Sequence, residues 1–198
     1  MHTLINLLTE GFRTAWLPCS LIVLLPGVAA LLAARDELTV TVFGYGAAIT
    51  FVAWLRFSDR GGDWPLLAAA TALLAATALF LVPTIDGRRV VSVVGGALAG
   101  GAAAELWVPA VGRTFGRVLS QLPDRPLVGG FELGLYLLGV LAPLIVLALA
   151  LRLGPDRLPV LRHRLALLGG AVLVVLAALT ALGLHDAIAR WLVSRSLA

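Results

Sequence analysis

Residues 90–122 read VVSVVGGALAGGAAAELWVPAVGRTFGRVLSQL, an apolar and amphipathic run that is compatible with helix along its length. As one unbroken helix it would be about 50 Å long, at about 1.5 Å per residue, whereas the hydrocarbon core of a bilayer is only about 30 Å thick. Pro109 lies inside the stretch, and an interior proline costs a helix about 3 kcal/mol because it removes a hydrogen bond and clashes with the preceding turn. The sequence therefore predicts a membrane helix that is broken at Pro109.

The same motif occurs near the N-terminus of the chain. Trp16-Leu17-Pro18-Cys19 precedes Trp107-Val108-Pro109-Ala110 by 91 residues, and Tyr45 precedes Tyr136 by the same offset. The first motif predicts a second broken helix, with its break at Pro18 and a further kink at Pro26-Gly27.

Composition places the whole chain in a membrane. Hydrophobic residues make up 60% of the 198 residues and charged residues 13%, against about 25% charged in a typical soluble domain. The mean hydropathy is +1.00. Six apolar stretches have about the length that a spanning helix needs. They are Thr14–Ala34, Leu38–Leu55, Trp64–Ile85, Val90–Gly112, Leu133–Leu151 and Leu165–Leu184.

These observations predict an all-α polytopic membrane protein with six transmembrane helices in a single domain, residues 1–198. Three apolar stretches belong to the copy that contains the first motif, and three belong to the copy that contains the second. An odd number of crossings per copy gives the two copies opposite orientations. We therefore expect two inverted three-helix repeats, at about 1–86 and about 87–198, with the first helix of each broken at its proline. The expected location is the bacterial plasma membrane, as a multi-pass protein surrounded by lipid.

Cys19 is the only cysteine of the chain. A cysteine just after a proline break lies at the start of a half-helix, where unpaired backbone N–H groups and the helix dipole favour the thiolate, the nucleophile of disulfide exchange. A lone cysteine is also commonly a small buried hydrophobic residue. The residues alone leave both roles open.

The two motifs resemble those of the CcdA family, which is related to the membrane domain of DsbD. Residues 10–27, EGFRTAWLPCSLIVLLPG, are similar to the family's opening, in which Pro-Cys is followed within a few residues by Pro-Gly. Residues 107–116, WVPAVGRTFG, are similar to its second motif, Trp-x-Pro-Cys-x-Gly-Pro-x-x-Gly, with Gly112 and Gly116 at the glycine positions.

This resemblance implies a transmembrane relay of reducing equivalents, a thiol–disulfide oxidoreductase-like activity. Such proteins accept electrons from thioredoxin and pass them to extracytoplasmic thioredoxin-like proteins, in support of cytochrome c maturation. Cys19 carries over as the redox thiol, and Pro18 and Pro109 carry over as the breaks.

The chain departs from the family pattern at two positions of the second motif. Ala110 stands where the second cysteine falls, and Arg113 replaces the following proline. Either Ala110 is an engineered substitution that traps one state, or the chain is a diverged member; Arg113 favours divergence. With Cys19 alone, the chain has no internal thiol to resolve a mixed disulfide.

Two further functions remain open. Glu105 is the one carboxylate inside an apolar stretch, so it and Arg113 are candidates to bind a solute, an ion or a proton in a transporter of the same inverted-repeat fold. If Glu105 instead lies near the membrane boundary, its side chain extends towards the headgroups or is neutral, and it has no such role. A non-catalytic assembly subunit for cytochrome biogenesis is the third alternative.

No cofactor, metal or nucleic acid is expected. The three histidines and Cys19 show no metal-ligand spacing, and the fifteen basic residues form no basic stripe. The expected partners are thioredoxin or thioredoxin-like proteins and membrane lipid.

Overall fold

The structure is a computed structural model, and it describes residues 2–17, 20–34, 37–58, 66–81, 89–106, 113–153, 159–184, 187–188, 190–191 and 194. Helices are the only regular elements in this part of the chain. They are α1 (His2–Ala15), α2 (Leu21–Ala33), α3 (Leu38–Phe57), α4 (Leu66–Leu81), α5 (Arg89–Leu106), α6 (Arg113–Gln121), α7 (Pro126–Val140), α8 (Ala142–Leu153) and α9 (Pro159–Ala181).

Three described helices are long and apolar enough to cross a membrane: Leu38–Phe57, Arg89–Leu106 and His163–Ala181. A fourth crossing results if α7 and α8 form one bent span. Two shorter apolar helices are Leu21–Ala33 and Ala68–Leu81. The all-α membrane architecture therefore agrees with the sequence, whereas helices of spanning length number three to four among the described residues rather than six.

Glycines bring α3 and α5 into direct backbone contact. A Cβ on Gly96 would overlap the carbonyl oxygen of Thr41, and one on Gly100 would overlap that of Tyr45, one turn further along both helices. The two helices therefore run parallel. Conversely, a Cβ on Gly44 of α3 would overlap the carbonyl oxygen of Val93 in α5. Such small-residue contacts let membrane helices pack by van der Waals forces without a hydrophobic driving force.

The neighbouring helices run opposite to this pair. Gly95 of α5 contacts Leu81 of α4, and Gly101, further along α5, contacts Leu73, earlier along α4. Likewise α7 passes α3 in the opposite sense, with Gly130 against Trp54 and Gly134 against Thr50. Helices α4 and α7 are therefore antiparallel to the α3–α5 pair, as α3, α4 and α5 would be if they crossed a membrane in turn.

A bend separates α7 from α8, which the sequence analysis treated as one straight span. The two axes differ by 50°, and Leu141 lies between them. Pro143 follows in the first turn of α8, where it has no N–H to donate to the carbonyl one turn earlier and its ring crowds that turn. This bend is additional to the two breaks that the sequence predicts.

Polar groups mark the two ends of the parallel pair α3 and α5. At the first end, the Arg89 Nε lies 3.4 Å from the Glu37 Oε1. At the other end, the Arg56 guanidinium contacts the last turn of α5 at Ala104 and Glu105. The rise from Arg89 to Glu105 along α5 is about 24 Å at about 1.5 Å per residue. Glu105 therefore lies at the opposite end of α5 from Arg89, next to Arg56.

Candidate functional site

The chain around the first motif changes from exposed to buried. Helix α1 ends at Ala15, and Trp16 and Leu17, which follow it, are 70% and 37% exposed. Ser20, immediately before α2, is 2% exposed. Pro18 and Cys19, the predicted break and thiol, lie outside the described residues. The residues that flank them therefore mark a place where the chain passes from the protein surface to its interior.

The residues before this motif are held by a hydrogen-bond network around Thr14. The buried Tyr136 hydroxyl donates to the Thr14 Oγ1 over 2.9 Å, and the Thr14 hydroxyl donates to the Glu10 carbonyl over 2.8 Å. The Thr14 carbonyl in turn accepts from the Leu17 N–H, at 3.0 Å, and from the Ser20 hydroxyl. Carbonyls in the last turn of a helix lack helical partners, so this network caps α1.

Helix α1 crosses α7 at a pair of glycines next to this network. A Cβ on Gly11 would overlap the Tyr136 carbonyl, and one on Gly139 would overlap the Leu8 carbonyl. Phe115 of α6 packs against the Tyr136 ring, with 4.9 Å between ring centroids. The position of Thr14 is therefore fixed by α6 and α7 as well as by its own helix.

The residues after the motif are held by Tyr45. Its buried hydroxyl donates to the carbonyl of Val23 in α2. Gly27 leaves room for this ring, since a Cβ there would lie 3.1 Å from the Tyr45 Cζ. Pro26 and Gly27, both predicted site residues, are buried within α2, which continues through them.

Tyr45 and Tyr136 thus hold the two sides of the first motif. In the sequence these tyrosines mark only the repeat, and their role in holding the first motif is not predicted from it. The signal in the sequence is that each tyrosine follows the tryptophan of its motif by the same number of residues. The hydrogen-bond partners of the two tyrosine hydroxyls depend on tertiary packing.

The second motif lies largely outside the described residues. Helix α5 ends at Leu106 and α6 begins at Arg113, so Pro109, Ala110 and Gly112 are outside the described part. Arg113 is the first residue of α6, and its side chain is not among the described parts of the chain. Cys19 and Ala110 therefore both lie outside the described residues.

Arg56 holds the end of α5 immediately before the second motif. Its Nη1 donates to the Ala104 carbonyl over 2.9 Å and to the Glu105 carbonyl over 2.8 Å. A cation is favoured at this end of a helix, where the dipole is negative and the carbonyls lack helical partners. The guanidinium also lies 5.6 Å from the Phe57 ring centroid. Sequence reasoning missed Arg56, although it is the basic residue in the last turn of α3.

Glu105 presents a buried oxygen that lacks a partner. Its Oε2 is inaccessible to solvent and has no hydrogen-bond partner among the described residues, and the same holds for the Glu132 Oε2 of α7. A buried polar atom without a partner is uncommon and calls for an explanation. Glu105 therefore remains a candidate site residue.

An apolar cavity of about 200 Å³ is lined by residues that flank both motifs in sequence. Leu21 and Ile22 follow the first motif closely, and Leu106 precedes the second. Pro26 also lines it. The structure therefore brings the described flanks of the two motifs to one place.

Within the described ranges, no group of three histidine, cysteine or acidic residues is placed to hold a metal ion. No protein-family model matches the chain, and neither a curated protein nor a solved structure matches it.

Proposed function

We propose that the chain is a CcdA-like integral membrane protein with six spans in two inverted repeats, located in the bacterial plasma membrane. In this proposal Cys19 exchanges disulfides with a thioredoxin-like partner, in a path that supplies reductant for cytochrome c maturation. Ala110 makes the chain a one-cysteine variant of that relay.

The observation that carries the proposal is the change in exposure around Cys19. An exchange thiol must meet a partner protein, and the exposed Trp16 and Leu17 offer an apolar surface directly before it. The buried Ser20 on the other side, hydrogen-bonded to Thr14, gives the thiol a fixed neighbour within the protein.

The chemistry of one thiol is a single exchange step. The Cys19 thiolate attacks one sulfur of the partner's disulfide, a new Cys19–partner disulfide forms, and the partner's other sulfur leaves and takes up a proton. Because Cys19 is the only cysteine, a thiol from a second protein must resolve the adduct and return Cys19 to its reduced form.

The test is trapping of this adduct. A thioredoxin that retains only its nucleophilic cysteine, activated as the thionitrobenzoate disulfide, is mixed with the purified chain in lipid nanodiscs. We expect release of the coloured thionitrobenzoate together with a one-to-one adduct that dithiothreitol dissolves, and we expect Cys19→Ser to give neither. Labelling of Cys19 by a maleimide in the same nanodiscs reports whether the thiol is accessible from solution.

Failure of the unaltered chain to form the adduct, while maleimide labels Cys19, would contradict thiol exchange with this class of partner. Labelling by maleimide only after denaturation in SDS would assign Cys19 to the core and also reject the proposal.

Glu105 supports a second candidate function, proton-coupled transport of a small solute or ion. Its unpartnered buried Oε2 and the contact of its backbone with Arg56 provide a carboxyl group beside a cation at the end of α5. In proteoliposomes containing a pH-sensitive dye, transport predicts a proton flux that Glu105→Gln lowers at least tenfold and Cys19→Ser leaves intact.

Glu132→Gln is the matched control, because it also removes a carboxylate with a buried unpartnered oxygen, but on α7. An equal effect of the two substitutions, or a flux that requires Cys19, would reject this second function.

A further inference from the structure

Helices α2 and α9 touch closely at one level and separate at another. A Cβ on Gly169 of α9 would overlap the Ala29 carbonyl of α2 and would come within 2.7 Å of the Ala33 N atom. Towards the start of α2 and the end of α9 the apolar cavity lies between them, with Leu21 on one side and Leu179 on the other. The two helices therefore enclose a wedge-shaped space that is closed at the Gly169 contact.

The wall of this cavity is aliphatic. The described residues that line it are Leu21, Ile22, Leu25, Pro26, Leu74, Leu106, Leu176, Leu179, Thr180 and Ile188. Thr180 has the only polar side chain among them, and its hydroxyl already donates to the Leu176 carbonyl over 2.8 Å. The described wall therefore offers no polar group to a ligand and no charge to a lipid headgroup.

The mouth of the cavity lies on the outer surface of the helix bundle. Leu21, Leu25 and Ile188 line the cavity and are also exposed. Leu21 and Leu25 lie on the apolar helix α2, and Ile188 follows α9. In a membrane protein such exposed aliphatic side chains are expected to face lipid tails, so hydrocarbon is the expected medium at this mouth. An aliphatic cavity of about 150 Å³ in a soluble protein stays dry and takes up benzene, and this one is larger.

We infer that the wedge between α2 and α9 is a binding site for one acyl chain of a membrane phospholipid. The chain enters past Leu25 and extends to Leu74 and Thr180, while its headgroup stays outside. This inference rests on the cavity and its mouth and does not depend on exchange at Cys19.

The test uses a phospholipid with a diazirine near the end of one acyl chain, incorporated into nanodiscs that contain the full chain. After irradiation, mass spectrometry of peptides is expected to locate the label at Leu21–Pro26 and Leu176–Thr180. Thr180→Phe places a ring in the cavity and is expected to reduce this labelling at least fivefold. Val175→Phe is the matched control, because Val175 is exposed on the same helix and does not line the cavity.

Unchanged labelling in a folded Thr180→Phe variant would overturn the inference, as would labelling spread evenly over exposed residues such as Val174 and Val175. If Thr180→Phe does not fold, Leu25→Phe at the exposed mouth takes its place with the same expected loss. A farnesyl photoprobe that labels these positions more strongly than the phospholipid would overturn the assignment to an acyl chain.

Discussion

Replacing Gly100 with alanine is expected to destabilise the folded protein by about 2–3 kcal/mol, a large part of the stability of a typical domain. The added methyl would overlap the carbonyl oxygen of Tyr45, a backbone atom that cannot rotate away, so α3 and α5 must move apart. Alanine is otherwise about 1 kcal/mol better than glycine inside a helix. The packing cost is therefore larger than the net loss by about 1 kcal/mol.

Gly46→Ala is the matched control on the partner helix. Its Cβ would lie 3.5 Å from the Leu141 Cδ1, an ordinary contact with the end of a flexible side chain. We expect this variant to equal or exceed the unaltered chain in stability. Unfolding by SDS in mixed micelles, followed by loss of helical circular dichroism, gives both values. Equal stabilities for the two variants would contradict the close packing of α3 against α5.

Replacing Arg56 with alanine is expected to cost more than about 2 kcal/mol and to loosen the last turn of α5. Arg56 makes two hydrogen bonds from a charged group to carbonyls that have no helical partner, and such bonds contribute about 1.5–3 kcal/mol each. Hydrogen–deuterium exchange is expected to rise at residues 102–106, directly before the second motif, and to remain unchanged at the start of α5. Arg56→Lys should restore only part of the protection, because lysine lacks the planar fork of donors.

Arg152→Ala is the control for removal of a cation. The exposed Arg152 side chain contacts Thr39 at 3.4 Å at the other end of α3. Its loss should change the stability by no more than about 0.5 kcal/mol. If Arg152→Ala matched Arg56→Ala in stability and exchange, the capping role of Arg56 would be rejected.

The sequence predicts the position of a long helix where charged residues and turn formers mark its ends. A predicted span over Leu38–Leu55 corresponds to α3, Leu38–Phe57, since charges and turn formers flank it on both sides. The bend at Leu141 was missed because a proline near a helix start and one that breaks a helix look alike in an apolar run. Two of the six predicted stretches contain helices shorter than a full crossing among the described residues, so the inverted repeat stays a prediction.

Residues of the candidate site could be predicted from the sequence only where a single residue stands out by its type and position. Cys19, Pro18, Pro109, Ala110 and Gly112 stand out in the sequence but fall outside the described residues. The contacts of Arg56 with α5, and of Tyr136 with Thr14, join residues 48 to 122 positions apart. Such contacts follow from helix crossings at glycine, whose register no single-sequence pattern specifies.

The distance between the two polar ends of α5 has a consequence for the surrounding bilayer. The rise of about 24 Å from Arg89 to Glu105 is shorter than a hydrocarbon core of about 30 Å. A span with this deficit is expected to be accommodated by local thinning of the bilayer or by charged side chains that extend towards the headgroups. The protein should thus prefer shorter-chain lipids, and its stability should fall as acyl chains lengthen.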